Sequence, residues 1–122
     1  MGAAKILFAD DDSALREVVG VQLVGQGYVV EEADDGEKTV EMLRGGNYDV
    51  LLLDINMPGK TGIDVLKFVK EEGLNCRVIM LTGRVGFSIA TETIKLGAVE
   101  YITKPFTLEY LLSSIERVLA KE

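Results

Sequence analysis

Val50-Leu51-Leu52-Leu53 is an uninterrupted apolar run that ends at an acid, Asp54, and then at the turn-forming pair Pro58-Gly59. Four apolar residues without polar alternation suit a strand covered on both faces, the condition of a strand inside a parallel sheet. Such a strand delivers whatever follows it to the carboxyl edge of the sheet, where open α/β folds bind their ligands. An acid placed there by a rigid strand, with the proline turn leading the chain away, is positioned as a nucleophile or a metal ligand. Taken alone, Asp54 also reads as a surface acid capping the next helix.

The rest of the chain repeats this alternation. Lys5 to Ala9 is an apolar run that ends in Asp10, Asp11 and Asp12. Asp12 or Ser13 caps a helix with Leu15, Val18, Val19, Gln22 and Leu23 near one face, and Gly25 and Gly27 end it. Tyr28 to Glu32 reads as a short strand whose later residues are polar, as at a sheet edge. After Asp34-Asp35-Gly36, a helix runs from about Glu37 to Arg44 with Val40 and Leu43 inward, stopped by Gly45-Gly46. Thr61-Gly62 opens a third helix carrying Ile63, Leu66 and Val69 at helical spacing and closing near Gly73. Val78 to Leu81, introduced by Arg77, is a strand that ends in Thr82-Gly83. The fourth helix, Phe87 to Leu96, has an apolar face diluted by Ser88, Thr91 and Thr93, and Gly97 terminates it. Val99 to Ile102 is the last strand, followed by Thr103-Lys104-Pro105-Phe106. Leu108, Leu111, Leu112, Ile115, Val118 and Leu119 form the stripe of a final helix, with Thr107 as its cap. Strands alternating with helices throughout predict a parallel sheet with right-handed crossovers and helices on both faces. The last helix reaches nearly to Glu122, so residues 1–122 read as a single domain with no room for a second.

Composition excludes several function classes. Twenty acids against 13 bases give a net charge of −7, which repels a phosphate backbone and argues against direct nucleic-acid binding. The lone cysteine, Cys76, has no internal partner for a disulfide, as expected of a reducing, cytoplasmic setting, and its apolar neighbours suggest packing rather than reactivity. No apolar stretch approaches the roughly 20 residues that span a bilayer, so no membrane partner is expected. The chain has no histidine, so it carries neither a phosphohistidine nor a histidine general base.

Four of the five strands end in polar residues able to face one site: Asp10 and Asp11, Asp54, Thr82, and Lys104. Three carboxylates brought together must take up protons, pair with cations or bind a metal. Hard oxygen donors in a partly wet site suit Mg²⁺, with Mn²⁺ as an alternative. A lysine ammonium neutralises phosphoryl oxygens and a threonine hydroxyl donates to one of them. Asp54 then serves as a carboxylate nucleophile toward phosphorus, giving an aspartyl phosphate. Each member alone has a plainer reading: the acids as a helix cap with solvated neighbours, Thr82 as a strand-end turn residue, Lys104 as a surface lysine. Their joint placement at strand ends favours the phosphoryl-acceptor reading.

Together these motifs resemble the receiver domain of two-component response regulators over essentially the whole chain. The likeness is carried by the acidic pair after the first strand, Asp54 followed by Met57-Pro58 and Gly62, Thr82-Gly83, and Lys104-Pro105-Phe106. It implies a CheY-like, flavodoxin-like doubly wound (βα)5 sandwich with strand order 2-1-3-4-5. It implies that Asp54 accepts a phosphoryl group from a sensor histidine kinase or a histidine phosphotransfer protein. Mg²⁺ would be held by Asp11, Asp54 and the backbone carbonyl of Asn56, with Asp10 acting through water. Thr82 and Lys104 would contact the phosphoryl oxygens, and the Lys104–Pro105 bond would be cis. Tyr101 matches the switch aromatic that turns inward as Thr82 moves; by residue type alone it is an ordinary half-buried strand tyrosine. One new dianion would then bias a surface formed by the fourth helix, the last strand and the last helix, changing the downstream partner or pairing two copies of the chain. The weak pattern of the fourth helix fits a mobile element. Gly83 stands where the family often has alanine, and Arg84 and Asn56 occupy the variable positions beside the site. The chain would be a signalling phosphoacceptor that assists its own phosphorylation and dephosphorylation.

Three other readings compete. A phosphatase of the haloacid-dehalogenase type needs its nucleophile after the first strand in an Asp-x-Asp-x-Thr pattern, which Asp10-Asp11-Asp12-Ser13-Ala14 lacks. A flavodoxin-like cofactor carrier needs neutral donors where three acids stand. The third is a receiver-shaped scaffold that is never phosphorylated and works only through protein contacts.

Overall fold

A computed structural model describes residues 3–83 and 86–120. Its strands are β1 (Lys5–Ala9), β2 (Val29–Ala33), β3 (Val50–Leu53), β4 (Arg77–Thr82) and β5 (Glu100–Thr103). Its helices are α1 (Ser13–Gly25), α2 (Gly36–Gly45), α3 (Gly62–Glu71), α4 (Phe87–Lys95) and α5 (Leu108–Ala120). All pairings are parallel, in the order β2-β1-β3-β4-β5. The architecture is the doubly wound (βα)5 sandwich that the alternation predicts.

The period-two geometry of the strands divides the core between the two faces of the sheet. Leu7, Leu51, Leu53, Val78 and Met80 pack with residues of α2 and α3. Ile6, Phe8, Leu52, Ile79 and Leu81 pack with Val19 and Leu23 of α1 and with Leu111, Ile115 and Val118 of α5. Leu51, Leu52 and Leu53 are all fully buried, each contributing on the order of 2 kcal/mol of hydrophobic stabilisation. An apolar run without alternation is thus accounted for by a strand with a helical layer on each side.

Local signals set the helix ends. Asp12 caps α1 by accepting from the Leu15 N–H, Asp35 caps α2, and Thr61 with Asp64 forms a capping box on α3. Thr107 accepts from the Tyr110 N–H at 3.1 Å at the start of α5. Gly27 and Gly97 follow the C-caps of α1 and α4 at φ 96° and 110°, the left-handed region that favours glycine. Several boundaries differ from the sequence pattern by one residue: β2 and β5 are shifted one position toward the C-terminus, to Val29–Ala33 and Glu100–Thr103, β4 also takes in Arg77 and Thr82, α2 takes in Gly36 and Gly45, and α4 stops at Lys95. The expected inward positions of α1 need correction. Val18 is 64 % exposed and Gln22 is exposed, because Leu15, Val19 and Leu23 at i, i+4 and i+8 already fill the strip facing the sheet. Helix α4 is anchored least: it has no side-chain cap and fully buries only Thr93, against four residues of α5.

Away from the carboxyl edge, the Tyr48 hydroxyl donates to Glu31 Oε1 at 2.6 Å, and Lys5 pairs with Glu31 at 3.3 Å while lying over the Tyr48 ring. Burial, and then the Glu31 carboxylate, push the Tyr48 phenol up to about 12 from an ordinary 10.0. Since the folded value lies above the unfolded one, this stabilisation is present below pH 10.0 and is lost as pH rises toward about 12. A tyrosinate absorbance titration should show one of the four tyrosines ionising near pH 12, a step that Tyr48→Phe removes. Burial likewise pushes the Cys76 thiol up to about 11, as suits a packing role.

Candidate functional site

The backbone ladder does not stop at the strand ends. The Asp10 N–H donates to the Ala33 carbonyl (3.0 Å), the Asp54 N–H to the Ala9 carbonyl (3.0 Å), and the Lys104 N–H to the Thr82 carbonyl (2.9 Å). Three of the polar residues predicted for the site are therefore held by the sheet itself, as firmly as the strands that deliver them. Helix α3 closes from the other side. Gly62 donates to the Ile55 carbonyl at 2.8 Å, and a Cβ at Gly62 would overlap the Asp54 carbonyl oxygen.

These backbones bring the side chains to one point. Lys104 Nζ donates to Asp10 Oδ2 at 2.7 Å and to Asp54 Oδ2 at 3.2 Å. Asp10 is wholly buried and Asp54 nearly so, while Asp11 is exposed at the rim. One oxygen from each of Asp10, Asp11 and Asp54 lies within 4.8 Å of the others, close enough to share one cation. Asn56 is exposed, and its N–H donates to Asp54 Oδ1 at 3.3 Å. Thr82 is fully buried at the tip of β4, in register with Thr103. Tyr101 is half-buried, in register with Met80 and packed against the core beneath α2 and α3. The Lys104–Pro105 peptide bond is cis. A Cβ at Gly83 would meet nothing within 4 Å among the described residues, and Arg84 lies outside them.

Charge decides what the cluster can hold. Burial pushes the Asp10 carboxyl above the usual carboxylate range, opposed by the hydrogen bonds from Lys104 and from the Asp12 N–H. Burial alone would push the Lys104 ammonium down, but the Asp10 and Asp54 carboxylates outweigh it and hold the ammonium up. Among the described residues, three carboxylates against one ammonium leave two negative charges over, the charge of a divalent cation. An all-oxygen donor set with one exposed member, able to keep water on the ion, fits Mg²⁺ or Mn²⁺.

The sequence reading passes over Arg16. Its guanidinium donates to the Asp10 carbonyl at 2.5 Å and to Glu32 Oε1 at 3.0 Å. The available signal was a single cation at the start of the helix that follows three acids, which any helix surface also shows.

Comparison with known proteins agrees with this geometry. The family described as response regulator receiver domain matches residues 6–116. Chemotaxis protein CheY of Pseudomonas aeruginosa is 38 % identical over 120 residues, covering 96 % of this chain and 97 % of that protein. Transcriptional regulatory protein DltR of Streptococcus agalactiae is 38 % identical over 111 residues, covering 91 % of this chain. The chain spans about half the length of DltR. Among solved structures, chemotaxis protein CheY4 of Vibrio cholerae superposes with a TM-score of 0.90 at 33 % identity, covering 97 % of this chain and all of that one. No helix among the described residues is long and apolar enough to cross a membrane. A sheet in the order β2-β1-β3-β4-β5, with its acids gathered at one edge and a family match across nearly its whole length, makes this chain a member of the response regulator receiver domain family of two-component systems.

Proposed function

We propose that Asp54 is the phosphoacceptor of this chain and that a sensor histidine kinase or a histidine phosphotransfer protein is its donor. The observation that carries the reading is Lys104, bonded at once to Asp10 and Asp54 beside a third carboxylate. Asp54 presents a carboxylate oxygen to phosphorus; the oxygen–phosphorus bond forms as the phosphorus–nitrogen bond of the donor imidazole breaks. Asp10, Asp11, Asp54 and the Asn56 carbonyl are the residues that would hold Mg²⁺, which when bound offsets the charge of the transferring group. Lys104 shifts from its carboxylate partners to the phosphoryl oxygens, and the Thr82 hydroxyl donates to another of them. The chain has no histidine, so the donor is a separate group.

The output is a change at the face made by α4, β5 and α5. The phosphoryl group draws Thr82 toward it, and Tyr101 moves inward into the space that opens. Helix α4, uncapped and shallowly buried, is the element least costly to shift. Ile94, Val99 and Tyr110 leave apolar surface exposed on these elements or beside them, as a partner-binding face requires, whether the partner is another protein or a second copy. The cytoplasm is the compartment in which such a donor and target meet.

Incubation with acetyl phosphate and Mg²⁺, read by intact mass, tests the acceptor. One added phosphoryl group is expected, absent in Asp54→Asn and absent when the metal is chelated. An adduct that survives Asp54→Asn places the acceptor elsewhere. No adduct, together with no binding of beryllofluoride, favours the unphosphorylated scaffold.

A further inference from the structure

We propose that Arg16 is a positioning residue for the divalent-cation site, holding the Asp10–Asp11 peptide in the orientation that keeps Asp11 beside Asp54. The inference rests on the phosphoacceptor reading above. Every polar atom of Asp10 is engaged. Its N–H donates to Ala33, Oδ1 accepts from the Asp12 N–H at 2.9 Å, Oδ2 accepts from Lys104 at 2.7 Å, and its carbonyl accepts from Arg16. Strand β1 ends at Ala9, so Arg16 takes up a carbonyl that lies past the end of the strand.

That carbonyl and the Asp11 N–H belong to one planar peptide unit. Fixing the carbonyl therefore fixes the direction in which the Asp11 Cα leaves the sheet. Asp11 needs this because it is the exposed member of the three acids and gains little from packing. Without the bond to Arg16, the bond from the Asp12 N–H to Asp10 Oδ1 is left to restrain the unit, and Asp11 has more freedom to relieve its repulsion from Asp10 and Asp54 by turning into water. The guanidinium is itself held from a second side by Glu32 of β2, next to the Ala33 that receives the Asp10 N–H. The Arg16 side chain is 14 % exposed, an unusual depth for a cation on a helix surface. Serving a carbonyl and a carboxylate at fixed angles needs a planar fork, which lysine lacks.

The test is Mg²⁺ affinity by titration calorimetry, with urea stability measured in parallel, for the wild type, Asp11→Asn, Arg16→Gln, Arg16→Lys and Glu32→Gln. Wild type should bind Mg²⁺ and Asp11→Asn should lose most of that binding. Both Arg16 variants should bind about tenfold more weakly, the usual consequence of losing a group that orients a metal ligand. Lysine should not rescue, and Glu32→Gln should weaken binding in the same direction while leaving Arg16 in place. Lower urea stability with unchanged Mg²⁺ affinity in the Arg16 variants would assign Arg16 a purely structural role and overturn the proposal. Wild-type protein that binds no Mg²⁺ would instead overturn the cation site itself, and the proposal with it.

Discussion

Lys104→Met is expected to slow phosphorylation of Asp54 by acetyl phosphate by about 100- to 1,000-fold, the usual penalty for removing one preorganised donor to a transferring anion. The same change should weaken the fold in metal-free buffer. Lys104 Nζ is the cation bonded to a wholly buried Asp10 and a nearly buried Asp54, and its loss leaves two carboxylates facing each other. Breaking a fully buried pair costs about 3–5 kcal/mol, but the Lys104 side chain is 23 % exposed and Asp10 can take up a proton, so about 2 kcal/mol is expected here. The pH dependence has a definite sign. The Asp10 carboxyl already lies above the ordinary range through burial, and without Lys104 it moves higher. An acid whose folded value is raised stabilises the fold while protonated and loses that stabilisation as pH rises. The deficit relative to wild type should therefore be smallest at acid pH and grow toward neutrality. Urea denaturation across a pH series checks this, and added Mg²⁺ should shrink the deficit by supplying a substitute countercharge.

Gly62→Ala is expected to damage stability and chemistry together. The new Cβ would overlap the Asp54 carbonyl oxygen and lie 2.7 Å from the Ile55 Cα, both backbone atoms unable to swing aside as a side chain would. Either α3 retreats from the sheet or the end of β3 bends. Overpacking of this kind costs about 1–3 kcal/mol, and contact with backbone places Gly62 at the upper end. Because the displaced residue carries the nucleophile, the adduct should also form about 100-fold more slowly, as for a misplacement near 1 Å. Gly45→Ala is the matched control. A Cβ there meets nothing within 4 Å among the described residues, and Gly45 closes α2 outside the left-handed region, so stability should hold or rise by about 0.5 kcal/mol. Urea midpoints and the rate of mass gain, measured on both variants, separate a general intolerance of added methyl groups from the specific closeness of α3 to Asp54.

The elements of the fold were legible because their signals are local. Leu51 to Leu53, the stripe Leu111–Ile115–Val118, and the caps Asp12, Thr61 and Thr107 each involve residues within a few positions of one another, and the observed ends differ from the expected ones by about a residue. The α1 face was misjudged at Val18 and Gln22 because apolar or neutral residues on either side of a true stripe blur its centre. The acids, Thr82 and Lys104 were legible as a set because each follows an apolar strand, so one topological rule sends them all to one edge.

The sequence by itself determined which residues alternate, which runs are buried on two faces and which polar groups stand at strand tips, since these depend on spacing along the chain. Only the tertiary structure decided that Lys104 bonds both Asp10, 94 residues away, and Asp54, 50 residues away. It also decided that Tyr48 finds Glu31, that Gly62 must lie bare against the Asp54 carbonyl, and that Arg16 turns back to hold Asp10. The reason is physical: these contacts depend on strand order, register and helix-to-sheet distance, which residues far apart in the chain settle together by packing.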